Sequence, residues 1–329
     1  MKIFATGLCA AAVTLAVTSA HAEDRTLRVA TSVPQHHYLT RAIQTFADRV
    51  NERTDGEISF EVYPAQSLVT DQQMDQAVAN GTVDIGIASA SILAGTIPAF
   101  NIFAVPFYFD TREKLDHSVT RGNPIRTTLD EEIEKKGLHA AFWIPYGSIA
   151  MVTRDKPVHV PDDMKGMKIR TFGSTVSEFV EAVGAAPVVT SGGEQFLALQ
   201  RGIVDGGLTG WSSVTDRRLY EVSKYVVATD HMYETHFALM SSGVWDSLSP
   251  ETQKIFQEVG EEMESELMDE IFTVNDKAKA ELSEKMDVIE LTDAEKTQWK
   301  EATRSVAEHF YESGDDVSKT VFEEAEKVQ

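Results

Sequence analysis

Apolar positions along this chain change period several times. Leu27 to Thr31 is a short strand-like run, and after SVPQHH the residues Leu39, Ala42, Ile43, Phe46, Ala47 and Val50 fall on one face of a helix. Thr54-Asp55-Gly56 ends that helix. Ile58, Phe60 and Val62 then alternate as a second strand, and the pattern predicts a second helix over 71–80 that stops at Gly81. The opening order β-α-β-α-β implies parallel strands. One segment also echoes another: VANGTVDIG, Val78 to Gly86, lines up with LQRGIVDGG, Leu199 to Gly207, with Gly81 on Gly202 and Asp84 on Asp205. Each is a helix end, a glycine and a strand. Any α/β chain reuses such turns, but the match also fits two similar lobes facing each other.

Further along, Ser249 is an N-cap, Pro250 suits the first helical position, and Phe256, Val259, Met263, Leu267, Ile271, Val274, Ala278 and Leu282 recur at helical spacing. Some 35 residues at about 1.5 Å each reach roughly 50 Å, so this helix is expected to bridge both lobes. A short strand, DVIEL, follows it. The box Thr292-Asp-Ala-Glu295 then starts another helix, with Trp299, Val306 and Phe310 on its buried side. The uncharged stretch from Ile85 to Phe109 is interrupted by Pro98, Pro106, Gly95 and Asn101, which argues for a buried strand and an apolar loop rather than a membrane span.

Composition narrows the function. Residues 1–22, MKIFATGLCAAAVTLAVTSAHA, have the short charged start, apolar middle and small-residue end of a cleaved export signal, which places the mature protein in the periplasm. The single cysteine, Cys9, lies inside this segment, so the mature chain has no thiol for disulfides, metal sites or catalysis. Removing Lys2 leaves 52 acidic against 29 basic residues, a formal charge of -23. That sign excludes nucleic acid as a partner. It does not exclude an anionic ligand, because charges beyond roughly 8 Å are screened at physiological salt. A mature chain of this length also exceeds what one core usually serves, and two lobes are expected. There is no HExxH, no G-x-S-x-G and no cysteine nucleophile to support a secreted enzyme.

The chemistry concentrates at KGMKIRTFGS, where a strand ends near Arg170 and opens into a helix. A guanidinium there can grip a carboxylate through two parallel hydrogen bonds, beside the free N–H groups of the first helical turn. On composition alone Arg170 also fits a surface ion pair; its place before the box Thr175-x-x-Glu178 favours the anion trap. Phe172 follows it, as a ligand contact or as packing under the helix. Thr209 and Trp211 end the echoed strand, Thr209 as a hydrogen-bond donor and Trp211 as a cleft wall or a core residue. Ser89, after the matching strand, suits a ligand contact or a turn. Tyr146, with a hydroxyl that needs a partner, lies at the expected crossing between lobes, and Phe107 suits the core or the cleft. His37 precedes the first helix. His236 enters the return crossing, where it suits a structural role as well as a ligand contact. Because adjacent histidines do not converge on one ion, no metal or other cofactor is expected.

These segments together resemble the periplasmic solute-binding proteins of tripartite ATP-independent (TRAP) transporters. The resemblance rests on FADRVNERTDGEISFEVYPAQSLVTD (Phe46 to Asp71), ANGTVDIGIAS (Ala79 to Ser89), VPFYF (Val105 to Phe109), KGMKIRTFGS (Lys165 to Ser174), ALQRGIVDGG (Ala198 to Gly207) and WDSLSPETQ (Trp245 to Gln253). It implies an α/β fold of two lobes with hinge strands, a cleft between the lobes and a long helix across both. Lobe I would span 23–147, completed by about 237–255, and lobe II 148–236, with the bridging helix over 249–285 and the C-terminal helices over 286–329. It also implies a monomer that captures a small carboxylate on Arg170 and hands it to membrane permease subunits. The chain departs from the family pattern after VDG, where Gly207, Leu208 and Thr209 replace a frequent polar triplet. That departure makes Arg170 the one strong charge expected in the cleft and favours a monocarboxylate with an apolar, aromatic or hydroxylated tail. The alternatives are an ABC-type or sensor-associated binding protein and, from another class, a secreted enzyme.

Overall fold

The predicted N-terminal alternation is realised as β1 (Arg25–Ala30), α1 (Tyr38–Arg53), β2 (Ile58–Tyr63), α2 (Met74–Ala79) and β3 (Ile85–Ser89). These come from a computed structural model that describes residues 25–328; the expected export segment with Cys9 lies outside the described residues. β1 pairs in parallel with β2 on one side and β3 on the other. Helix α1 buries the apolar face read from the sequence, and its N-cap is His37, whose Nδ1 accepts the Leu39 N–H at 3.1 Å. The helix predicted over 71–80 divides into a 3₁₀ turn, Asp71–Gln73, followed by α2.

The apolar stretch after β3 is not an irregular loop. It coils as α3 (Ala90–Leu93) and a 3₁₀ run over Pro98–Ala104, since a buried backbone must pair its own polar groups. Then α4 (Arg112–Val119) and α5 (Pro124–Lys135) lead into β4 (Leu138–Thr153). β5 (Lys168–Thr171), α6 (Ser174–Ala182), β6 (Ala186–Val189), α7 (Gln195–Gln200), β7 (Gly206–Gly210) and α8 (Trp211–Asp216) build the second lobe, with β8 (Tyr225–Ala228) at its far side. The chain returns along β9 (Tyr233–Ser241) and closes with α9 (Ser242–Asp246), α10 (Pro250–Ser283), β10 (Asp287–Glu290), α11 (Asp293–Ser313) and α12 (Asp316–Glu326).

The echo is structural. In the first lobe Asp84 takes the Arg28 N–H on its carboxylate at 2.8 Å and returns its own N–H to the Arg28 carbonyl. In the second, Asp205 makes the same exchange with Lys168, again at 2.8 Å to the carboxylate. Gly81 and Gly202 both turn with positive φ, +74° and +69°.

Two long antiparallel strands join the lobes. β4 pairs with β9 from Leu138 to Ser148, then changes partners and pairs with β7 from Ile149 to Thr153, with β8 joining on its other side from Met151. The strand order is therefore β2-β1-β3-β9-β4-β7-β5-β6. Helix α10 lies across both lobes as expected: it packs on α1 and β4 on one side and on α8 and β10 on the other. Its Ser249 cap and the Thr292–Glu295 capping box are formed. On the buried face, Asn275 rather than half-buried Val274 points inward.

Candidate functional site

A bulge in the crossing strand aims the first side chain of the site. Pro145 pairs with Thr235 and Gly147 with Glu234, so Tyr146 is an extra residue in β4. Bulges re-aim side chains next to functional sites, and this one turns Tyr146 into a cavity between the lobes. Its ring lies so close over Gly210 that a Cβ there would come within 2.4 Å of it. Gly147 adopts φ +98° and passes Asn275 of α10 where a Cβ would sit 2.3 Å from the amide. The bulge therefore depends on glycine at 147.

The cavity between the lobes, with its mouth, holds about 470 Å³ of atom-free space. Six of the nine residues singled out from sequence line it: Ser89, Tyr146, Arg170, Phe172, Thr209 and His236. Three do not. Trp211 is buried in the second-lobe core, where its Nε1–H donates to Asp230 at 3.2 Å and Lys279 sits over its ring. Phe107 lines a separate surface pocket under Lys300. His37 caps α1 with Nδ1, so its proton is on Nε2, which donates to Ser213 Oγ at 3.2 Å. Ser213 in turn bonds the Tyr146 hydroxyl at 2.6 Å. His37 thus props Tyr146 from behind rather than meeting the cavity.

Arg170 is the penultimate residue of β5, with only 2% of its surface exposed. Its Nε donates to the Thr190 carbonyl at 3.0 Å and one Nη to the Leu208 carbonyl at 2.9 Å. Phe172 packs beneath the guanidinium, 5.1 Å from ring centre to carbon. Arg126, the other deeply buried arginine among the described residues, shows what a structural guanidinium does here. It holds Asp130 at 2.6 Å and Glu264 at 2.9 Å. Arg170 has no carboxylate partner among the described residues. Burial first, then the nearby charge of Arg217, pushes its pKa down to about 10. A second anion in the cavity would relieve both. The predicted box Thr175-x-x-Glu178 is not formed: α6 starts earlier, with Gly173 as N-cap, and Thr175 is already inside the helix. Dropping the Cβ at 173 lets this turn approach Ser91 of the first lobe.

Three charged lining residues, Arg217, Asp71 and Glu234, were not read from sequence. Arg217, at the C-cap of α8, lies under Gly192, where a Cβ would strike its guanidinium. Asp71 stands at the junction of the lobes and accepts the Gly192 N–H at 3.0 Å. Glu234, on β9, is 1% exposed and takes the Ser91 N–H at 3.0 Å and the Ser91 hydroxyl at 2.7 Å. Burial outweighs these donors and pushes its carboxyl up to about 7. Arg170 is therefore not the one strong charge in the cleft, a correction that follows from side chains brought together by α8 and the return strand. His236 lines the same wall. Burial and then Arg217 push its pKa down to about 3, and its buried Nδ1 has no partner among the described residues. No group of three or more His, Cys, Asp or Glu able to hold a metal occurs among the described residues.

Residues 29–314 match the model of the bacterial extracellular solute-binding proteins, family 7. A solute-binding protein of Albidiferax ferrireducens is 27% identical over 314 residues, covering 90% of each chain. The C4-dicarboxylate-binding periplasmic protein DctP of Vibrio cholerae is 28% identical over 267 residues, 80% of this chain and 79% of its own. Among solved structures, DctP7 of Bordetella pertussis, a receptor binding pyroglutamic acid, superposes with a TM-score of 0.87 at 20% identity, over 92% of this chain and 99% of its own. The galactonate complex of the sugar acid binding protein DctPAm from Advenella mimigardefordensis gives 0.88 at 22% identity, over 94% and 100%. These relatives are solute receptors rather than enzymes. The chain belongs to family 7 of the bacterial extracellular solute-binding proteins, the DctP family of TRAP transporters.

Proposed function

We propose that this chain is the periplasmic subunit of a TRAP transporter that captures a small organic acid in the interlobe cavity and delivers it to a membrane permease. Arg170 takes the carboxylate, with Arg217 adding positive potential beside it. The observation that carries this reading is the buried guanidinium of Arg170, fixed by two main-chain carbonyls and left without a carboxylate while Arg126 has two. In this reading residues 23–147, completed by about 237–255, form the first lobe and 148–236 the second. The lobes close by rotation about β4 and β9. Asp71 on Gly192 and Ser91 beside Gly173 support that view, since both contacts join one lobe to the other. Exclusion of water strengthens the ion pair as the cavity closes. No bond in the ligand is broken.

A thermal-shift screen of organic acids, followed by calorimetry on wild type and Arg170→Ala, tests the proposal. Leaving a buried anion unpaired costs roughly 2–5 kcal/mol of binding, so the variant should bind tens to thousands of times more weakly. Unchanged affinity in the variant would refute the clamp.

A further inference from the structure

Glu234 faces the same question as Arg170 with the sign reversed. It lies in the cavity wall on a strand that joins the lobes, is almost wholly buried, and has no cationic partner among the described residues. A buried carboxylate without a cation is costly to keep. Nor do the two groups pair with each other: Arg170 donates to the Thr190 and Leu208 carbonyls, Glu234 accepts from Ser91, and no ion pair joins them among the described residues. One cavity therefore holds a positive end, built by Arg170 and Arg217 on the second lobe with Asp71 nearby, and a second carboxyl, Glu234, on the return strand.

Burial opposes a charge on Glu234 and its hydrogen-bond donors favour one, so a cation in the cavity would tip it to the ionised form. The Ser91 N–H donates to one oxygen and the Ser91 hydroxyl to the other. The Ser89 hydroxyl and the Ala90 N–H also favour the ionised group. Donors on every side are arranged for an acceptor; a protonated carboxyl would have to turn one of them away. A ligand hydroxyl would add one more neutral bond and leave the charge uncompensated. A protonated nitrogen supplies both a hydrogen bond and the missing charge.

We propose, resting on the carboxylate reading above, that the acid taken by this cavity is zwitterionic, with its carboxylate on Arg170 and its protonated nitrogen on Glu234. Neutral His236, two residues along β9, offers a free ring nitrogen to the same end of the ligand.

Matched ligands test this with the full-length mature protein. Calorimetry compares L-proline with cyclopentanecarboxylate and tetrahydrofuran-2-carboxylate, and L-alanine with propionate and L-lactate, so that only the group beside the carboxylate changes. In a series that binds, the nitrogen member should be tighter by about tenfold or more, the effect of one charge-assisted hydrogen bond. Glu234→Gln should erase that preference while binding stays dependent on Arg170. The wild-type comparison stands if that variant fails to fold. Equal or tighter binding of the nitrogen-free acids, still lost in Arg170→Ala, overturns this inference and leaves the carboxylate clamp intact. No binding by any member of either series overturns this inference for α-amino acids and leaves the clamp to the organic-acid screen above, where an unchanged affinity in Arg170→Ala would overturn it.

Discussion

Relative to wild type, replacing Glu234 by glutamine should favour the unliganded folded protein increasingly as the pH rises. Burial raises the folded carboxyl from its ordinary 4.5 to about 7, so the folded state holds this proton more tightly than the unfolded chain. Stability from Glu234 is thus fully present below pH 4.5 and is lost as the pH climbs through 7. The gap between 4.5 and about 7, at roughly 1.4 kcal/mol per pH unit, amounts to about 3 kcal/mol. Most of that loss falls between pH 5 and pH 8. For a chain of about 300 residues, unfolding entropy of roughly 0.6 kcal/mol/K converts it to about 4 °C.

The assay is a pair of melts, wild type and Glu234→Gln, at pH 5 and pH 8 in one buffer series. The difference of differences removes the many other carboxylates of this acidic chain. His236 and His37, held low in the folded state by burial, take up protons on unfolding within this window, and because both proteins share them their contribution cancels in the same difference. The variant should gain about 4 °C on wild type from the lower pH to the higher. A gap that stays constant, or narrows as pH rises, would refute the argument that Glu234 is a buried carboxyl titrating near neutrality.

Other positions give sharper local tests. Gly147→Ala should cost roughly 2–4 kcal/mol in denaturant unfolding, because φ is +98° and the new methyl meets Asn275. Trp211→Phe should lose the bond to Asp230 and destabilise by roughly 1–3 kcal/mol, while calorimetry finds ligand affinity unchanged. A large loss of affinity there would restore Trp211 to the cavity wall. Arg217→Ala should weaken acid binding by roughly 1–3 kcal/mol, less than the loss at Arg170.

Local signals carried most of the architecture. The periodicity of α1, the Ser249-Pro250 start of α10 and the Thr292–Glu295 box depend on near neighbours in sequence, and each is found where expected. The VDIG and VDGG echo survives because both aspartates make the same exchange with the preceding parallel strand. Arg170 was legible from its place at a strand end. Glu234 was not: in YETHF it is one polar residue in an alternating strand, and only the bulge at Tyr146 and the pairing of β9 with β4 place it at the cavity. Arg217, in the run DRRLY, has the sequence of an exposed helix end. For Trp211, left open between cleft wall and core, and for His37, the reason is related. Their nearness to functional segments is evident in the chain, but which face each presents is decided by Asp230, Ser213 and the α1 cap, all contacts of the folded state.

A crystal structure of the protein with an acid that it binds tests the central claim most directly. The account predicts the ligand carboxylate in the interlobe cavity, within hydrogen-bonding distance, about 2.7–3.1 Å, of the Arg170 guanidinium. A carboxylate bound elsewhere in the protein, or one in the cavity that leaves Arg170 without an anion, would contradict it.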